Sequence, residues 1–345
     1  MLVSYRRALP YHRVIWTSMI RAEAACTHRR IIEGRRRLGK LVRPTQGKQS
    51  RGSETCTVRW PGPLNIPASV EGFRRWGDDL LDRWDGQTLL RTVRVDGRVV
   101  PFAGTVTGTL EAPALTVSVQ DAAHAQAVVQ VVQHMFVAAA APLAQLVITD
   151  PVIARLEMRY PGVRPVLYTD AFTGIVRSIS AQQVNLRWAA TTRRRLAEAF
   201  GRPHRLGAHL IYSLEAERLA EASVAELRAL QFTTRKAEYI TSLARAVAQG
   251  SLDLAALTEQ SDAEVIACLM AVRGIGRWTA EWFLARVLGR PCVAAGDLGV
   301  RKAVGAAYLQ GRLPSEAEVR ELTAHWGAAA GVAQQLLLHA LSEGQ

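Results

Sequence analysis

The most informative segment of this chain is Cys268-Leu-Met-Ala-Val-Arg-Gly-Ile-Gly-Arg-Trp-Thr-Ala280. An apolar helical segment ends at the turn Gly274-Ile275-Gly276, and a second helix begins directly after it. Glycines allow positive φ and close approach of another backbone, and the isoleucine between them can anchor the turn in the core. The turn also presents N–H groups at a helix N-terminus, which suit a phosphate oxygen. With Arg273 and Arg277 flanking it, the turn is typical of a hairpin that grips a DNA backbone without reading sequence. A glycine C-cap followed by an unrelated helix is the alternative.

A carboxylate follows this hairpin. Asp297 lies about 20 residues after Gly276, so one helix and a short connection can bring the chain back beside the turn. It stands among small and apolar neighbours in Val293-Ala-Ala-Gly-Asp-Leu-Gly-Val-Arg-Lys302 and precedes a predicted helix, Leu298 to Leu309. One interpretation is a simple N-cap. That interpretation is compatible with chemistry, because a capped carboxylate is held rigidly.

Charge is distributed unevenly along the chain. The net charge is +13, but residues 1–54 carry 13 Lys and Arg against 3 Asp and Glu. The remaining residues are nearly balanced, so any contact of the folded part with DNA has to be local. We interpret residues 1–54 as a disordered basic extension, which either attracts phosphate nonspecifically or has no function.

Residues 55–149 predict a mixed α/β domain with an antiparallel sheet. Strand alternation appears in Leu90–Val95, Val99–Val106 and Leu115–Val119, and Asp96-Gly97 predicts a hairpin turn between the first two. Helical periodicity appears in Val70–Trp84 and in Ala122–Ala139.

Residues 150–345 predict an all-α domain of about eight helices. Three capping boxes mark helix starts, since each places a serine three residues before a glutamate: Ser223/Glu226, Ser261/Glu264 and Ser315/Glu318. The fold class expected from the sequence is therefore an α+β domain followed by an all-α domain that carries the hairpin.

Composition restricts the classes of function. The four cysteines show no C-x-x-C spacing, which argues against a zinc site and is typical of free thiols in a reducing cytoplasm. The longest apolar stretch, Met135–Leu146, is shorter than the roughly 18 residues of a membrane span. We therefore expect a cytoplasmic protein that does not enter a membrane.

The hairpin and three other segments of the chain resemble a known family. The hairpin and the following Gly-Asp are similar to the helix-hairpin-helix/Gly-Pro-Asp DNA glycosylase superfamily, and Gly-Ile-Gly-Arg-Trp-Thr-Ala resembles its 3-methyladenine DNA glycosylase II family. Two further segments, Ile175–Val184 and Phe232–Ile240, resemble the parts of that family that precede the base pocket and the hairpin. The resemblance covers about residues 55 to 343.

The resemblance implies a function and a set of roles. The protein is expected to be a monofunctional glycosylase that flips an alkylated purine out of double-stranded DNA and hydrolyses its N-glycosidic bond. Asp297 is the expected catalytic residue, and Trp278 and Trp282 are expected to form the base pocket. Gln183 matches the position that fills the gap left by the flipped base. The other predicted DNA contacts are Arg273, Gly274, Gly276, Arg277 and Thr279.

Further expectations follow from the same resemblance. Glycosylases that also nick the strand use a lysine at the Trp278 position, so a nicking activity is not expected. No cofactor is expected beyond a monovalent cation that the hairpin backbone can hold, and the protein is expected to be a monomer. A glycosylase for other base lesions and a noncatalytic hairpin module are the alternatives.

The C-terminus departs from the family pattern. The segment Trp326-Gly-Ala-Ala-Ala-Gly-Val-Ala-Gln-Gln335 replaces the family's Trp-x-Pro-x-Arg-Ser-Tyr-Ala run. Leu338 stands about where a further pocket aromatic is expected. The range of accepted lesions therefore depends on this region.

Overall fold

A computed structural model describes residues 53–344 of this chain. The predicted basic extension, residues 1–54, lies outside the described residues except for its last two positions. The first strand begins at Glu54.

A five-stranded antiparallel sheet occupies the N-terminal part, in the order β1-β5-β4-β3-β2. Its strands are β1 (Glu54–Arg59), β2 (Arg83–Trp84), β3 (Thr88–Val95), β4 (Arg98–Val106) and β5 (Ala114–Val119). Asp96 and Gly97 join β3 to β4 with φ values of 47° and 75°. Positive φ at both central residues is the geometry that Asp-Gly favours in a two-residue hairpin, so this predicted turn is confirmed.

Alternation places one face of the sheet against helices. The helices of this part are α1 (Ile66–Val70), α2 (Gly72–Arg75), α3 (Ala125–Gln133) and α4 (Ala140–Thr149). Strand residues such as Leu89, Phe102 and Val117 are fully buried and pack with Val128 and Val132 of α3.

The predicted helix over Val70–Trp84 is wrong. The structure has two short helices that end at Arg75, and then an irregular segment that leads into β2. Gly77 and Leu80 both have positive φ, 114° and 65°, which a right-handed helix does not allow. The apolar periodicity was misleading because this segment buries Leu80 and Leu81 against the helical part of the chain instead.

From Asp150 onward helices dominate, so the predicted order of an α+β part and a helical part is confirmed. The described helices are α5 (Pro151–Arg159), α6 (Ala171–Ala181), α7 (Leu186–Phe200), α8 (Ala216–Ala220), α9 (Val224–Ala229), α10 (Thr234–Ala248), α11 (Asp262–Met270), α12 (Arg277–Arg286), α13 (Leu298–Tyr308), α14 (Glu316–Thr323) and α15 (Ala330–Glu343). These eleven α-helices exceed the eight expected, and two of them, α8 and α9, have only five and six residues.

The helical part also contains one hairpin that the sequence reading missed. Strands β6 (Arg202–Leu206) and β7 (His209–Ser213) pair antiparallel. Leu206 and Ile211 of this hairpin pack with Leu90 of β3, which ties it to the sheet.

The three predicted capping boxes are all present. In α9, α11 and α14 the serine side chain accepts from the N3 backbone N–H while the N3 glutamate accepts from the serine backbone. Each box satisfies two N–H groups that a helix N-terminus leaves free.

A buried ionic cluster lies between the sheet and the helices. Asp79 accepts hydrogen bonds from Arg177 of α6 at 2.6 Å and from Arg193 of α7 at 2.8 Å. Asp82 accepts from Arg177 at 2.7 Å and from Arg91 of β3 at 2.5 Å. The cluster thus links the irregular segment, a strand and two helices in one network.

One apolar cluster contains residues from both sides of the domain boundary predicted between residues 149 and 150. Leu143 and Leu146 of α4 pack with Val304 of α13 and with Leu336 of α15. That domain boundary stays a prediction. In residues 53–344, no helix has both the length and the apolar character that crossing a bilayer requires.

Candidate active site

The hairpin turn connects α11 to α12 as the sequence predicts. Gly274 has φ +91°, and a Cβ at this position would lie 2.0 Å from the ring of Tyr239. A side chain is therefore excluded twice, by conformation and by contact. Ile275 is 4% exposed and packs into the helical core. This burial holds the turn in place.

Gly276 serves a different purpose from Gly274. Its φ is −95°, so it needs no left-handed conformation, and a Cβ there would meet open space. It is the N-cap of α12. Because a glycine cap has no side-chain acceptor, the first N–H groups of α12 are available to an external oxygen.

The two arginines of the hairpin are exposed and each has a carboxylate partner. Arg273 donates to Glu238 of α10 at 2.7 Å. Arg277 donates through Nε to Glu281 at 2.9 Å, and Arg320 of α14 donates to the same oxygen at 2.6 Å. Glu281 is buried and holds the Nε of Arg277 against the protein. The rest of that guanidinium faces solvent.

Thr279 is placed differently from the prediction. Its side chain is fully buried, and its hydroxyl lies in the interior rather than at the surface. A side-chain contact with DNA is therefore excluded, whereas the backbone N–H of Thr279 belongs to the first turn of α12. The prediction gave Thr279 a DNA contact because it follows the turn closely, whereas this face of α12 packs into the core.

Asp297 is the N-cap of α13, and Oδ1 accepts from the backbone N–H of Val300 at 2.9 Å. Its other oxygen, Oδ2, accepts from the indole Nε1 of Trp278 at 2.7 Å and from that of Trp282 at 3.3 Å. The two indoles are four residues apart on α12, so both reach the same carboxylate. The sequence predicted that these three residues share a site, and the structure brings them together.

The tryptophans also have a cationic neighbour. The guanidinium of Arg286 lies 5.9 Å from the ring centroid of Trp282 and 5.9 Å from that of Tyr168. Arg286 also donates to the amide oxygen of Gln335 on α15 at 2.6 Å. Burial lowers the pKa of Arg286. One side of the Trp282 indole is therefore next to a half-buried cation.

Leu338 lies close to the carboxylate, as the resemblance implies. A Cβ on Gly299 would lie 2.9 Å from Asp297 Oδ1 and 3.6 Å from Leu338 Cδ2. Leu338 therefore lies near the start of α13, and its place in the base pocket stays a prediction.

Gln183 occupies an exposed turn between α6 and α7, with φ +54°. A left-handed non-glycine residue costs about 1–2 kcal/mol and is held by its surroundings. Its neighbour Gln182 donates through Nε2 to the carbonyl oxygen of Gly274 at 3.2 Å. The plug candidate and the hairpin are therefore adjacent.

Sequence reasoning missed several groups around the site. Gln182, Lys236, Glu281 and Arg286 are polar residues inside helical patterns, where exposure is the usual expectation. A signal was present for Glu281, because it stands between the apolar residues Ala280 and Trp282. Their partners lie far away in sequence, and no local pattern identifies them.

Comparison with known proteins gives a consistent result. Residues 176–328 match the family model of the HhH-GPD superfamily base excision DNA repair proteins. The DNA-3-methyladenine glycosylase of Bacillus subtilis is 27% identical over 187 residues, which cover 54% of this chain and 62% of the relative. DNA-3-methyladenine glycosylase 2 of Escherichia coli is 34% identical over 140 residues, covering 40% of this chain and 49% of the relative.

The chain thus spans between about half and three fifths of these curated relatives. A solved 3-methyladenine DNA glycosylase from Archaeoglobus fulgidus superimposes with a TM-score of 0.73 at 24% identity, covering 83% of this chain and 98% of that structure. This likeness extends the shared fold beyond the family segment, into the sheet.

Proposed function

Because the chain belongs to the HhH-GPD superfamily of base excision DNA repair proteins, we propose that it is a monofunctional DNA glycosylase. Its proposed substrate is an alkylated purine of the 3-methyladenine type in double-stranded DNA. The name DNA-3-methyladenine glycosylase, carried by the curated relatives, supports this substrate class.

One observation carries the proposal: the carboxylate of Asp297 is held by three N–H donors that carry no charge. Breaking an N-glycosidic bond builds positive charge on the sugar, as in an oxocarbenium ion. A fixed anion beside C1′ stabilises that charge. The indoles of Trp278 and Trp282 orient the anion without cancelling it.

The leaving group and the strand chemistry fit the same residues. An alkylated purine is already cationic in DNA, so it leaves without a strong general acid. Tryptophan at position 278 has no amine that could form a Schiff base with the sugar. We therefore propose hydrolysis without strand cleavage.

DNA contact is assigned to the hairpin and the neighbouring turn. The N–H groups at the start of α12, together with Arg273 and Arg277, suit phosphate oxygens. Gln183 is proposed to fill the space that a flipped nucleotide leaves in the duplex. Its exposure and its proximity to the hairpin support that role.

Three further expectations stay proposals. A monovalent cation at the hairpin would be coordinated by backbone carbonyls, which suit such ions. The Gly274 carbonyl accepts one hydrogen bond from Gln182 and keeps a second lone pair.

The protein is proposed to act as a monomer in the bacterial cytoplasm, on chromosomal DNA. The free thiols of Cys56, Cys268 and Cys292 are compatible with a reducing compartment.

The test is release of free base from methylated duplex DNA by the full chain. We expect wild type to release 3-methyladenine. Asp297→Asn should bind DNA normally but lose at least about 100-fold in single-turnover rate, because the charge is gone while the shape remains. Asp253→Asn is the matched control, since Asp253 accepts from two backbone N–H groups in an exposed turn.

Two other outcomes would replace the proposal. Release of only deaminated or oxidised bases would indicate a glycosylase for other lesions. DNA binding without release of any base would indicate a noncatalytic hairpin module.

A further inference from the structure

The turn between α6 and α7, residues 182–184, is called the plug turn here. It contains the left-handed Gln183, whose backbone conformation is unfavourable for a residue with a side chain. Such a conformation persists where the surroundings determine it. Two polar side chains, one from the turn itself and one from α10, hold the plug turn and the end of α6.

The first contact joins the plug turn to the hairpin turn. Gln182 is the C-cap of α6, and its Nε2 donates to the carbonyl oxygen of Gly274 at 3.2 Å. The two turns proposed to contact DNA are therefore joined by a direct hydrogen bond. The acceptor belongs to the residue whose conformation defines the hairpin.

The second contact joins the end of α6 to α10. Lys236, in the first turn of α10, is 8% exposed, and its Nζ donates to the carbonyl oxygen of Ser180 at 2.8 Å. Burial lowers the pKa of this lysine. A buried ammonium is costly unless it is paired. Here it is directed at a carbonyl in the last turn of a helix, where a positive charge is favourable.

The third contact joins α10 to the hairpin turn. Tyr239, one turn after Lys236 on α10, lies against Gly274 so closely that no side chain fits there. The plug turn contacts the hairpin through Gln182, the hairpin contacts α10 through Tyr239, and α10 contacts α6 through Lys236. A displacement of either turn has to break one of these three contacts.

We propose that Gln182 and Lys236 are positioning residues that make the plug turn and the hairpin turn engage DNA as one unit. Gripping the backbone at the hairpin then brings Gln183 to the duplex axis in the correct position. The energy of phosphate contact is thereby available for extrusion of the damaged nucleotide. This inference rests on the proposed function, because it assumes that the protein flips a base.

The test compares two substrates that differ in their need for the plug. One carries the lesion opposite its normal partner, and the other carries it opposite an abasic site, where the nucleotide is unpaired and extrusion costs less. The measured quantity is the ratio of single-turnover rates, paired over unpaired, for the full-length protein. A loss of folded enzyme lowers both rates and leaves the ratio unchanged.

Gln182→Ala and Lys236→Met are each expected to lower this ratio about tenfold relative to wild type. Gln249→Ala is the matched control, because Gln249 is the exposed C-cap of α10 and should leave the ratio unchanged. Gln183→Ala should lower the ratio directly. Gln182→Glu should behave as Gln182→Ala, since a carboxylate cannot donate to the carbonyl of Gly274.

A ratio that stays at the wild-type value in both positioning variants would overturn the inference, whether the two rates are unchanged or fall equally. If wild type releases base from neither substrate, the proposed function itself fails. The two failures are therefore distinguishable.

Discussion

Two aspartates of this molecule are held by several donors each, and the donors differ in kind. Asp79, 2% exposed, accepts from the guanidinium groups of Arg177 and Arg193. Asp297, half-buried, accepts from two indoles and one backbone N–H. The first carboxylate stands between a sheet and helices, and the second stands beside the hairpin.

The difference shows how a fold separates a structural carboxylate from a chemical one. Burial by itself raises the pKa of Asp79, but the guanidinium groups of Arg177 and Arg193 outweigh burial and lower it to about 2. Their charges also cancel its field at a distance. Neutral donors fix the direction of Asp297 without that cancellation, so its negative charge remains available to a developing cation.

The largest expected effect tests the structural half of this comparison. Asp79→Asn leaves Arg193 without a carboxylate partner and weakens the pairing of Arg177, both in the interior. Breaking a buried ion pair from one side costs about 3–5 kcal/mol of unfolding free energy. Chemical denaturation should show this loss.

Asp297→Asn is the matched variant for that measurement. It keeps the N-cap oxygen but presents an NH2 group to the two half-buried indoles, which lose their acceptor. It should therefore cost about 1–2 kcal/mol, which is still less than the loss in Asp79→Asn. Equal destabilisation by the two variants would contradict the division into a structural and a chemical carboxylate.

The second prediction concerns pH and follows from the lowered pKa of Asp79. The ordinary pKa is 3.8 and the folded value is about 2. A lowered folded pKa gives stability that is fully present above about pH 4 and is lost as pH falls through about 2. The difference amounts to about 2 kcal/mol. In acid denaturation, the stability difference between wild type and Asp79→Asn should therefore narrow by about 2 kcal/mol as pH falls from about 4 to 2. A constant difference across that window would show that folding does not lower the pKa of Asp79.

The sequence predicted the chemical carboxylate better than the structural one, for a physical reason. The hairpin, the capping boxes and the place of Asp297 after the hairpin are local features that spacing predicts, and the family resemblance implied the role of Asp297. Asp79 depends on arginines about a hundred residues away. Its segment was taken for a helix because the irregular chain happens to repeat apolar residues at helical spacing.

Burial within a correctly predicted helix was also beyond the sequence. The spacing of Trp278 and Trp282 predicted their shared face, and the structure agrees. Thr279, between them, was assigned to the DNA surface but lies in the core. The resemblance implied a role for Gln183 only, and the bond of Gln182 to Gly274 joins residues 92 positions apart, which no local pattern predicts.

The smallest expected effect tests whether the neutral donors matter individually. Trp278→Phe and Trp282→Phe keep an aromatic ring and remove one N–H each. A hydrogen bond to a charged group is worth about 1.5–3 kcal/mol. Trp278 donates at 2.7 Å and Trp282 at 3.3 Å, so the rate of base release should fall about tenfold in the first variant and about threefold in the second.

Loss of stacking could imitate this order. The same pair is therefore measured in the Asp297→Asn background, as affinity for duplex DNA that carries a cationic pyrrolidine in place of the damaged sugar. If the indoles act through the carboxylate, their substitution weakens binding only where Asp297 is present, as a double-mutant cycle reports. Equal weakening in both backgrounds would assign the indoles to the base pocket and leave the orientation of Asp297 to its N-cap bond with Val300.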